Sequence, residues 1–200
     1  MKYLIIIYRC LLQLRYRVKI SGIDLVQAPG TKFFLSNHQA IVDPQITFCF
    51  LRKYIRVVPV VSELYTKAPV LKQILNSYGT IPVADPSSGK RDTSVLQSIT
   101  ENVCKGLEEG KHVILYPSGQ LSVDGTERII NKKSAWTIVG KLPENTRVIG
   151  VRIDGLWGSM WSKAKNGKTP SFFGTYLKGI GLALLNLIFF LPRRKVTIDF

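Results

Sequence analysis

A chain of 200 residues with 46% hydrophobic, 10% aromatic and 20% charged residues is long enough to bury about 70% of its unfolded surface in one domain, and too apolar for a disordered or low-complexity polymer. Cys10, Cys49 and Cys104 are odd in number and form no C-x-x-C pair. That argues against a disulfide framework or a zinc site and fits a reducing, cytosol-facing compartment. The net charge is +15. Thirteen of those charges come from residues 1–60 and 155–200, whereas 61–154 carries twelve bases and ten acids, like an ordinary globular segment.

The basic ends also hold the longest apolar runs. At the N-terminus Leu4-Ile5-Ile6-Ile7-Tyr8 and Cys10-Leu11-Leu12 are interrupted by Arg9. The break and the lack of a small-x-small cleavage site predict a retained interfacial helix over 4–14, not a signal peptide. Residues 1–22 then form a lead-in to a domain over 23–200. Short runs, several of them β-branched, predict strands over 18–21, 32–36, 57–61, 79–83, 112–116, 147–153 and 196–200. Helical patterns fall between them over 44–54, 68–77, 92–109 and 132–141. The clearest has Val95, Leu96, Ile99, Val103 and Leu107 in one stripe, between the caps Asp92 and Gly110. This alternation predicts an α/β domain with a mixed, largely parallel sheet flanked by helices. A last helix is expected over 170–191. Its apolar run, 179–191, is bracketed by Lys178 and by Arg193-Arg194-Lys195. Thirteen residues reach only about 20 Å as a helix, which is short of a roughly 30 Å hydrocarbon core. A buried core helix is the competing reading; the bracketing cations favour the membrane interface.

Only two histidines are present. His112 opens a strand and reads as structural. His38 follows a strand in Ser36-Asn37-His38-Gln39-Ala40-Ile41-Val42-Asp43-Pro44. An imidazole can take a proton from a hydroxyl while a carboxylate, here Asp43, fixes its tautomer. Taken singly, each has a plainer reading: a satisfied loop histidine, and an N-cap before a proline at N1. No G-x-S-x-G elbow, P-loop, G-x-G-x-x-G or H-E-x-x-H motif occurs. A base without a protein nucleophile suits direct attack of a substrate hydroxyl on an activated acyl group.

These residues resemble the glycerolipid acyltransferases that include 1-acylglycerol-3-phosphate acyltransferase. His38 through Asp43 is similar to the family's His-x4-Asp block. Gly79-Thr80-Ile81-Pro82-Val83 resembles the second block, with Asp85 where an arginine is usual and Lys90 and Arg91 the nearest substitutes. Tyr116-Pro117-Ser118-Gly119-Gln120 stands at the third, Phe-Pro-Glu-Gly; Ser118 replaces the glutamate, and Gln120 or Leu121 a following arginine. Val148-Ile149-Gly150-Val151-Arg152-Ile153 is similar to the fourth, with Gly150 in place of proline. The segment 151–162 and the helix after it further resemble the acyltransferase portion of bifunctional acyl-carrier-protein synthetase/2-acylglycerophosphoethanolamine acyltransferase proteins, in which a ligase domain would continue beyond Phe200.

The resemblance implies transfer of a fatty acyl group from acyl carrier protein or coenzyme A to a lysophospholipid hydroxyl at the cytoplasmic face of a membrane. His38 would be the base and Asp43 its partner. Asn37, Lys90, Arg91, Ser118, Gly119, Gln120 and Arg128 are expected to bind substrate, with Ser118 to Gln120 the first candidates for oxyanion donors. No metal or bound cofactor is expected. Loops at the carboxyl ends of neighbouring strands should bring 118–120 beside His38. Two other classes stay open: a catalytically silent lipid-binding module of the same fold, and a nucleic-acid binder suggested by a pI of 9.9. Charge interleaved with aliphatic runs, without an aromatic stacking platform, argues against nucleic acid.

Overall fold

The computed structural model describes residues 2–63, 65, 69–83, 93–129, 132–189 and 191–200. In chain order these form α1 (Lys2–Arg15), β1 (Tyr16–Ser21), α2 (Ile23–Gln27), β2 (Thr31–Ser36), α3 (Asp43–Leu51), β3 (Val57–Ser62), α4 (Pro69–Ser77), β4 (Ile81–Val83), α5 (Thr93–Glu108), β5 (His112–Leu115), α6 (Ser134–Val139), β6 (Thr146–Asp154), α7 (Phe172–Phe189) and β7 (Arg194–Asp199). The seven expected strands are all present. The fourth is shorter than expected because Gly79, at φ 71°, ends α4 instead: its amide and that of Thr80 return to the carbonyls of Asn76 and Leu75. Asp92, the expected cap of α5, lies outside the described residues. The short helix α2 carried no periodic signal.

The strands form one sheet in the order β1-β7-β6-β2-β5-β3-β4. All neighbours are parallel except β6 and β7. β2 is central, and its Phe33 and Phe34 are both fully buried, one on each face. Phe34 packs with Ile46, Leu51 and Trp161 on the side of α1, α3 and α7; Phe33 packs with Val103, Leu107 and Ile138 on the side of α5 and α6. Truncating either ring to alanine would cost about 3–5 kcal/mol.

Helices α1 and α7 run parallel. The Tyr8 and Tyr176 hydroxyls share a hydrogen bond, Asn186 donates to the Leu14 carbonyl, and Arg193 donates to that of Gln13. α7 is longer than its purely aliphatic part. It starts at Phe172, after a Ser171 whose hydroxyl accepts the Gly174 amide, so it reaches about 27 Å. By length and composition it is long and apolar enough to cross a membrane, and only 11% of it is buried. Leu184 and Leu187 are 55% and 53% exposed, so a buried core helix is not what forms.

Candidate active site

Because β2, β5 and β6 are parallel neighbours, the loops that follow them leave from the same edge of the sheet. The loop after β2 carries His38, and α3 begins at Asp43. Their side chains meet, with His38 Nδ1 3.0 Å from Asp43 Oδ2. Asp43 Oδ2 also accepts the amides of Gln39 at 2.5 Å and Ala40 at 2.7 Å. A carboxylate can only accept, so Nδ1 is the donor of the pair, and in the neutral imidazole that tautomer puts the lone pair on Nε2. Asp43 is thus the first residue of α3, not its N-cap: Val42 holds the cap position without a side-chain bond, and Asp43 binds backward into the loop. Burial pushes the Asp43 carboxyl up from the ordinary carboxylate range, opposed by the imidazole and the two amides. Its second oxygen, Oδ1, is buried without a protein partner.

The loops after β5 and β6 hold His38 in place. The Ser122 amide donates to the His38 carbonyl at 2.8 Å, and the His38 amide donates to Glu127 Oε2 at 3.1 Å. The Tyr116 ring lies 4.8 Å from the imidazole, tilted by 44°. Gln39 Oε1 accepts the amides of Leu156 and Trp157, and the Ile41 amide donates to the Trp161 carbonyl. Glu127 and Gln39 are the positioning residues that sequence reasoning missed. Glu127 lies outside the motif blocks and Gln39 at an unspecified position within His-x4-Asp, and both act through backbone groups, which leave no spacing signature.

The other expected site residues divide. The turn carrying Ser118, Gly119 and Gln120 sits in the segment that clamps His38, but its groups satisfy one another. The Ser118 hydroxyl donates to the Gln120 carbonyl at 2.8 Å, and the Gly119 amide to that of Tyr116 at 3.0 Å. The Gln120 amide is held most loosely, 3.4 Å from Ser118 Oγ. Asn37 is spent on β6, where its side-chain amide exchanges two hydrogen bonds with the Ile153 backbone. Arg128 is exposed and paired with Asp124. Lys90 and Arg91 lie outside the described residues. A cleft of about 650 Å³ opens beside the site along Asn37, Gln39, Glu127, Arg152 and Asp154; neither His38 nor Asp43 lines it. Among the described residues no three His, Cys, Asp or Glu side chains converge to hold a metal ion.

The model of the acyltransferase family matches residues 17–154. The chain belongs to that family. No curated protein matches its sequence significantly. Among solved structures, the acyltransferase is similar to the crystal structure of PlsC, the 1-acyl-sn-glycerophosphate acyltransferase of Thermotoga maritima. The TM-score is 0.60 and the identity 17%, over 99% of this chain and 67% of that one. At that identity the likeness speaks for the fold: the expected sheet flanked by helices is shared.

Proposed function

We propose that this acyltransferase moves a fatty acyl chain from a thioester on acyl carrier protein or coenzyme A to the free hydroxyl of a lysophospholipid such as 1-acylglycerol-3-phosphate or 2-acylglycerophosphoethanolamine, in phospholipid synthesis or remodelling. The observation that carries the reading is the His38 imidazole with Nδ1 3.0 Å from the buried Asp43 carboxylate, which supports Nε2 as the base. Nε2 takes the hydroxyl proton as the oxygen attacks the thioester carbonyl. The C–S bond then breaks, and the proton passes to the departing sulfur. The oxyanion draws on the turn at Ser118, Gly119 and Gln120, where the Gln120 amide is the donor most readily released. Asn37 shapes the loop, while Lys90, Arg91 and Arg128 supply cations for phosphate. A basic surface steers the acidic donor. The test is the mass of the product formed from a panel of lysophospholipids with an acyl thioester. His38→Ala should abolish transfer; a wild-type rate in that variant would overturn His38 as the base, and no transfer by the wild-type protein would leave a silent lipid-binding module as the reading.

The protein works at the cytoplasmic face of a membrane. Residues 1–22 and α7 act as its interfacial elements, supported by Leu4, Ile7, Leu177, Ile180 and Ile188, which are all exposed on the paired helices. A lysophospholipid keeps its tail in the bilayer while its hydroxyl reacts, so an interfacial enzyme meets its acceptor without extracting it.

A further inference from the structure

On the α7 side of the molecule a second groove of about 630 Å³ runs between the 158–171 segment and the helix. Along α7 its lining passes from Thr175 and Lys178 to Leu182 and Leu185, from polar to aliphatic, and the facing segment adds Met160, Lys165 and Asn166. No Asp or Glu is among the described residues that line it, and neither His38 nor Asp43 reaches it. The first turn of α7, at Ser171, Gly174 and Thr175, also faces the groove, so the positive end of an 18-residue helix adds to the two ammonium groups. Gly181 keeps the middle open, since a Cβ there would meet nothing within 4 Å. The aliphatic end continues into the exposed face of α7, where Leu184 and Ile188 are 55% and 69% exposed.

We propose that this groove binds one anionic phospholipid of the bilayer, its phosphate against Lys165 and Lys178 and one acyl chain along Leu182 and Leu185. Charge selects the occupant. Two cations without a facing carboxylate disfavour a purely apolar partner, and an aliphatic trough running on from them gives a free phosphate no advantage over a lipid. The site is separate from the His38 chemistry and fixes the depth and rotation of α7 at the interface. It can be tested on the full chain by calorimetric titration with dihexanoyl phosphatidylglycerol below its micelle concentration. Dihexanoyl phosphatidylcholine and inorganic phosphate serve as comparators. One molecule of phosphatidylglycerol should bind per chain, more tightly than either comparator. Lys165→Gln with Lys178→Gln should weaken it about thirtyfold at low salt, the size expected of two cations facing one anion. Gly181→Leu should abolish binding by filling the groove from an exposed helix position. Equal affinity for phosphatidylcholine or for inorganic phosphate overturns the proposal. So does phosphatidylglycerol binding that survives Gly181→Leu or the double lysine substitution.

Discussion

Asp43→Asn is the substitution for which the geometry makes the sharpest demand. All three donors, the Gln39 and Ala40 amides and His38 Nδ1, converge on one oxygen, Oδ2, while Oδ1 has no protein partner. Asparagine must therefore place its carbonyl oxygen where Oδ2 stands. The flipped rotamer would set an NH2 against two backbone donors, at about 1–3 kcal/mol for each amide left unsatisfied. The imidazole then keeps its proton on Nδ1 and Nε2 remains the base. What is lost is the negative charge that steadies the imidazolium. The difference between a charged and a neutral hydrogen bond is about 1–2 kcal/mol, or roughly a 5- to 30-fold fall in kcat. A reversed tautomer would instead cost about four orders of magnitude. Because burial has raised the Asp43 pKa, wild type itself protonates there at a higher pH than a free carboxyl does. The gap between wild type and variant should close as pH falls through that raised value. The folded state also binds this proton more tightly than the unfolded one, so the carboxyl's contribution to stability declines as pH rises through the same range, and Asp43→Asn removes that slope. The assay is kcat for acyl transfer against pH, with a urea midpoint measured in parallel. A ten-thousandfold loss in a fully folded variant would refute the hydrogen-bond pattern, and an unchanged kcat would refute a charged partner.

Three further outcomes follow from contacts around the site. Glu127→Ala strips the acceptor from the His38 amide and should cost about 1–2 kcal/mol of stability and lower kcat, whereas Glu127→Gln keeps an oxygen there and should recover most of both; denaturation and kinetics on the pair check it, and identical behaviour of the two variants would contradict the clamp. Burial pushes the Cys49 thiol up from 9.0 to about 12, so the folded state holds that proton where the unfolded state has lost it. Stability should therefore fall above pH 9, by up to about 1.4 kcal/mol per unit, and Cys49→Ala should flatten the fall; iodoacetamide at pH 8 should label exposed Cys10 and spare Cys49. Arg193→Gln with Lys195→Gln should weaken binding to anionic vesicles and its salt dependence, while leaving a residual apolar affinity. Arg194 must be kept in that test, because it donates to the Gly155 and Trp157 carbonyls and a triple variant would unsettle the loop beside Gln39.

The sheet was readable because its strands are short, β-branched and punctuated by turn residues; 31–36 and 112–115 could hardly be anything else. Strand order was not readable. Nothing in Val196-Thr197-Ile198 says that this strand enters between β1 and β6 and runs antiparallel to β6. His38 and Asp43 stood out because their spacing bridges a loop and a helix start, a local relation. Glu127 contacts His38 across 89 positions through a backbone amide, and any acceptor of similar reach would serve, so its identity carries no pattern. Ser118 shows a related limit. Its turn lies between Tyr116, whose ring neighbours the imidazole, and Ser122, which binds the His38 carbonyl, but the hydroxyl's turn toward the Gln120 carbonyl depends on a backbone geometry that composition does not encode. The aliphatic run of α7 was visible, whereas its extension back to Phe172 rests on the hydrogen bond at Ser171.

The pairing of β1 with β7 joins Tyr16 to Arg194, across nearly the whole chain. On a ribosome adding about 5–20 residues per second, β1 and the apolar helix ahead of it wait roughly ten to thirty-five seconds for the strand that completes their edge. Throughout that interval α1 is a nascent greasy segment without its final neighbour α7. A chain that meets a bilayer or a chaperone early has somewhere to put this segment, and one released into dilute buffer does not. Refolding yield should accordingly depend on supplied amphiphile, even when the native state, once formed, does not need it.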